Sequence, residues 1–71
     1  MKRIIILIPV FNDWQSLKKL IYEISLQIDN VKDCKFSMII INDGSTISQP
    51  EIKKPYNLGF VKILNMKENR G

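Results

Sequence analysis

Ile4-Ile5-Ile6-Leu7-Ile8 runs into Pro9-Val10-Phe11-Asn12-Asp13, and further along Met38-Ile39-Ile40-Ile41 runs into Asn42-Asp43-Gly44-Ser45-Thr46. Both apolar runs have the length of a strand, are rich in β-branched side chains and do not alternate. That pattern predicts strands buried on both faces of a parallel sheet. Each run then stops at polar, turn-forming residues. Ligands of open parallel sheets bind outside the carboxyl ends of the strands. The two strand ends therefore mark a candidate small-molecule site.

The segment between the runs has helical character. Asn12 is suited to an N-cap, with Gln15 three residues on and Asp13 adding negative charge to the first turn. Trp14, Leu17, Leu20, Ile21, Ile24 and Ile28 recur at three- and four-residue spacing and predict one apolar stripe that packs as core. Asp29 and Asn30 end the helix. Strands are expected over 3–8, 36–41 and 60–64, the third more polar because of Lys62. Pro50 and Pro55 forbid a long helix in 46–59, which leaves a loop with at most a turn or two of helix. Ser45 and Thr46 are suited to capping such a turn or donating to a phosphate. The order β-α-β-loop-β predicts an α/β unit with a three-stranded parallel sheet, one long helix and a right-handed crossover between the first two strands. One sheet face is then left poorly covered and at least one strand edge unpaired, which invites self-association.

Composition narrows the chemistry. The 71 residues contain no histidine, which excludes imidazole acid–base chemistry and histidine metal ligands within them. Cys34 is the only cysteine, so no internal disulfide forms, and a buried inert thiol is expected. The net charge is +4, but the basic residues are scattered and no run exceeds two. A nucleic-acid-tracking stripe is absent. No apolar run approaches the roughly 20 residues that span a bilayer.

Asp43 is the strongest single candidate for chemistry. It follows the second apolar run and precedes Gly44, which permits tight turns and close ligand approach. Its carboxylate can accept from a base, a ribose hydroxyl or a metal-bound water, although Asn42–Ser45 also reads as a plain turn. Phe11 stands where a planar ring could stack or where it could pack under the helix. Asp13 suits a helix cap. Arg70 offers a guanidinium beside Gly71 after the third strand. Neither a G-x-G-x-x-G fingerprint nor a G-x-x-x-x-G-K-[ST] loop is present.

Three stretches taken together, Ile6-Leu7-Ile8-Pro9-Val10-Phe11-Asn12-Asp13, Ile40-Ile41-Asn42-Asp43-Gly44-Ser45-Thr46 and Asn65 to Gly71, resemble the start of family 2 glycosyltransferases with the GT-A fold. Those typically read I-P-x-Y-N-E, then V-D-D-G-S-T-D, then N-x-G. The resemblance implies that 1–71 is the amino-terminal, nucleotide-binding portion of a partial Rossmann-like GT-A domain. It places Asp43 on the base and Phe11 beside it. Pro9, Val10 and Asp13 are then on the same wall, with Arg70 and Gly71 near the nucleotide. The implied partner is a nucleoside diphosphate sugar of UDP or GDP type, with no nucleic acid. Mg²⁺ or Mn²⁺ is expected for the full-length enzyme, on a D-x-D motif outside this chain. Location is expected to be cytoplasmic, or the cytoplasmic face of a membrane, with any membrane contact made by parts beyond 1–71. By itself the piece is expected to be inactive. Phe11 stands for the usual tyrosine, Asp13 for glutamate and Asn42 for the first aspartate. The alternative is a non-catalytic α/β fragment or interaction module without a ligand.

Overall fold

The computed structural model describes residues 1–66. Its elements are β1 (Lys2–Val10), α1 (Trp14–Ile28), β2 (Cys34–Asp43) and β3 (Leu58–Met66). All pairings are parallel and the strand order is β1-β2-β3, so β2 is central. The β-α-β-loop-β expectation holds, and each strand extends a residue or more beyond its apolar run at both ends. Asp43 is thus the last residue of β2 and not part of the turn just past it. Gly59, expected in the loop, lies inside β3. Cys34 opens β2 and is half-buried instead of buried.

Strand alternation sorts the side chains into two faces. The register pairs Ile8 with Ile40 and Ile40 with Ile63, a row that lies under α1. Trp14, Leu17, Ile21 and Ile28 of α1 close over this row together with Val10, Met38 and Leu58, and Met38 and Ile40 are fully buried. Leu20 does not join them. It sits at the edge of the stripe and is exposed. The opposite row, Leu7–Ile39–Lys62, has no covering layer among the described residues. Ile5 is 52% exposed and Leu7 62%. The expectation that β1 is buried on both faces is therefore corrected: it is an edge strand with one covered face. Its continuous apolar run supplies two apolar faces, and α1 packs on one.

The β2–β3 ladder contains one irregularity with a clear cause. Phe36 pairs with Leu58 and Met38 with Val61, so β2 advances two residues while β3 advances three. The additional residue is a bulge that keeps Leu58 and Val61 on the helix side. Gly59 sits there, and a Cβ on it would meet Ser37 Oγ at 2.7 Å. Ser37 Oγ accepts from the Phe60 N–H at 3.3 Å. A side chain at position 59 would displace the Ser37 hydroxyl from this seat and crowd Lys35.

The β2–β3 connection contains no helix. Pro50 and Pro55 bracket an extended strap anchored by Ile52 against the core. Between α1 and this strap runs a groove of about 530 Å³, lined by Lys18, Ile21, Tyr22, Ile52 and Lys53 among others.

Candidate functional site

The last β1–β2 register pair is Val10 with Asn42, and Phe11 and Asp43 each follow by one residue. Adjacent strands run about 4.8 Å apart, so the two candidate residues occupy neighbouring positions at the carboxyl end of the sheet. Phe11 is 51% exposed and is not packed under the helix. Asp43 is half-buried, and its carboxylate has no hydrogen-bond partner among the described residues.

Pro9, Val10, Phe11 and Asp13 line one shallow cavity of about 190 Å³ beside Ser16, Leu17 and Leu20. Within that group the roles differ. Val10 is buried in the core, so its side chain serves packing. Asp13 is the N-cap of α1, its Oδ1 accepting from the Ser16 N–H at 3.2 Å. That corrects the expected cap at Asn12 by one residue. Asp43 does not line this cavity. A cavity of this size is below the roughly 300 Å³ at which ligand pockets begin, so it forms part of a wall and not a closed site. Arg70 and Gly71 lie outside the described residues.

Asn12 has a different task from the one its position next to the helix predicts. Its φ of 64° is left-handed, a conformation asparagine tolerates better than most residues. Its Oδ1 accepts the Thr46 N–H at 2.7 Å and the Ile47 N–H at 2.9 Å, and its Nδ2 donates to Thr46 Oγ1 at 3.2 Å. Its own N–H donates to Ser45 Oγ at 2.8 Å. The Ser45 N–H in turn donates to Asn42 Oδ1, and Asn42 Nδ2 donates to Asn65 Oδ1 at 2.9 Å. Ser45 and Thr46 therefore cap no helical turn, because none follows, and their hydroxyls are engaged with the first loop. Trp14 adds a buried tie, its Nε1–H donating to the Ile47 carbonyl at 3.1 Å. All three strand ends are joined by side-chain amides.

A family model, that of glycosyl transferase family 2, matches residues 5–71, nearly the whole chain. The chain belongs to glycosyl transferase family 2. The three-stranded parallel sheet with one helix agrees with a partial Rossmann-like GT-A domain. Searches of curated proteins and of solved structures return no match. Sequence reasoning about this glycosyltransferase-related domain missed Asn12 and Asn65 as parts of the site. Their partners are 23 to 35 residues distant in the chain, so no local pattern could reveal them. Among the described residues no three His, Cys, Asp or Glu side chains converge on a common point. No helix among them is long and apolar enough to cross a membrane.

Proposed function

We propose that the chain is the nucleotide-binding portion of a glycosyltransferase that moves a sugar from a nucleoside diphosphate donor of UDP or GDP type to an acceptor. The observation that supports this is a pair of groups at adjacent strand ends that are unengaged among the described residues. Around them nearly every polar side chain is tied into the amide network, yet the Phe11 ring and the Asp43 carboxylate are not. A carboxylate accepts the imide N–H of uracil or the N1–H and amino group of guanine, and an exposed ring stacks on either base. Pro9 and Asp13 complete the wall, and Val10 holds it from within the core. Arg70 and Gly71 join the proposal on sequence alone.

Mg²⁺ or Mn²⁺ offsets the diphosphate charge when such a donor reacts. Of the two carboxylates at this end of the sheet, Asp13 is engaged in capping α1, which leaves Asp43 and suits a base contact better than an ion cage. We assign no metal ligand to this chain and no turnover to these residues by themselves. A cytoplasmic location and self-association through the free edges of β1 and β3 belong to the same proposal. Self-association is supported by the open Ile5–Leu7 face, and light scattering that finds only a single-chain mass at tens of micromolar contradicts it.

The test is a titration of the chain and its Asp43→Ala variant with UDP and GDP. One nucleotide is expected to bind the wild type, and the variant is expected to bind it about tenfold more weakly, the effect of one lost charge-assisted hydrogen bond. Equal affinities remove Asp43 from the site.

A further inference from the structure

The first loop and the β2 turn carry the two halves of the candidate wall, and the cavity that Phe11 lines does not include Asp43. What joins the halves is Asn12. Two successive backbone N–H groups, of Thr46 and Ile47, converge on its Oδ1. Such a convergent pair forms a small nest that would otherwise attract an anion, and here the nest is filled by an amide oxygen from the neighbouring loop. The Asn12 N–H reaches Ser45 Oγ, and Ser45 is fastened to Asn42, the residue before Asp43. The turn that follows Asp43 bends at Gly44, with φ 74°. Unfastened, a glycine-containing turn of this length samples many conformations.

We infer that Asn12 is a positioning residue: it splices the Phe11 loop to the Asp43 turn and so sets the geometry in which both meet a ligand. Asn12 contacts no base in this account. It acts through the turn, and the nucleotide part of the inference rests on the function proposed above. The splice depends on two separable properties of residue 12, a left-handed backbone and a side-chain acceptor. Glycine keeps the first and loses the second. Aspartate tolerates the first and keeps the acceptor.

Amide hydrogen exchange of the 71-residue chain separates these cases without a ligand. In Asn12→Gly, the Thr46 and Ile47 amides are expected to exchange at least about tenfold faster, while the Met38 and Ile40 amides in the core keep their rates. In Asn12→Asp, Thr46 and Ile47 are expected to return to within about threefold of wild type, since only the acceptor is needed. UDP or GDP, whichever the wild type binds, is expected to bind Asn12→Gly about tenfold more weakly. Unchanged Thr46 and Ile47 exchange in Asn12→Gly overturns the splice. Faster exchange with unchanged affinity overturns its role in positioning. If the wild type binds neither nucleotide, the function proposed above fails by itself, and the exchange rates still decide whether the splice exists.

Discussion

The two ends of the sheet use the same kind of bond for opposite purposes. At the amino-terminal end of the strands, Asp29 closes α1 and is fully engaged: Tyr56 Oη–H donates to its Oδ2 at 3.0 Å, and Asn57 Nδ2 donates to its Oδ1 at 2.9 Å. Asn57 also donates to the Ser25 carbonyl at 2.7 Å. At the carboxyl end, the asparagines Asn12, Asn42 and Asn65 carry the ties, and the carboxylate of Asp43 has no partner among the described residues. One end uses its acid to hold α1 to the start of β3. The other ties its loops with neutral amides, uses Asp13 to cap α1, and leaves Asp43 out of the hydrogen bonds among the described residues. A carboxylate left out of a well-bonded neighbourhood suits a ligand site, because forming the complex then breaks none of the hydrogen bonds among the described residues.

If the contrast is real, substitutions at the two ends separate stability from binding. The largest stability effect is expected at the amino-terminal end. Asn57→Ala removes two hydrogen bonds, each worth about 1 kcal/mol net, partly offset because it also removes Oδ1, which is buried without a partner. A loss of about 1 kcal/mol lowers the melting temperature by roughly 4–8 °C for a domain of this size, and nucleotide affinity is expected to stay as in wild type. Asp43→Ala is expected to do the reverse, shifting stability by less than about 0.5 kcal/mol, as surface substitutions without partners do, while weakening the nucleotide. Thermal melts of both variants beside their titrations decide this. A cooler melt for Asp43→Ala than for Asn57→Ala breaks the comparison.

The smallest effect concerns pH. The hydrogen bond to Asp29, and then its negative charge, raise the Tyr56 phenol above its ordinary value of 10.0. The neutral phenol is the form that donates, so this tie is intact at neutral pH and is lost only as the pH rises through the raised value. Ultraviolet difference titration should show Tyr56 ionising at higher pH in the wild-type chain than in the Asp29→Asn variant. A Tyr56 titration unchanged by Asp29→Asn removes Asp29 as the cause.

Much of this was legible in the sequence, and the misses have physical causes. The β-branched runs located β1 and β2, the alternation around Lys62 located β3, and the three- and four-residue spacing from Trp14 located the helix. Strand sidedness was legible only in part. One helix over three strands implied a poorly covered sheet face, but the unbroken run of Ile and Leu did not show that Ile5 and Leu7 would be on it. The helix cap missed by one residue because Asn12 and Asp13 are both good caps, and the choice was made by Thr46 and Ile47, which occupy the Asn12 side chain from across the sheet. Gly59 read as loop because the bulge that needs it exists only once β3 is in register with β2. For the site, Asp43 and Phe11 stood out because they follow strands. Apart from the local Ser45–Asn42 bond, the amide ties around them join residues 23 to 35 positions apart.

Backbone amide NMR of the 71-residue chain during titration with UDP and with GDP tests the central claim most directly, because it reports the position of binding along with its strength. The account predicts saturable shifts for one nucleotide confined to residues 9–13 and 42–47, with the Asp29, Tyr56 and Asn57 amides unmoved. Shifts that instead gather in the larger groove, at Lys18, Tyr22, Ile52 and Lys53, or no saturable shift with either nucleotide, would contradict it.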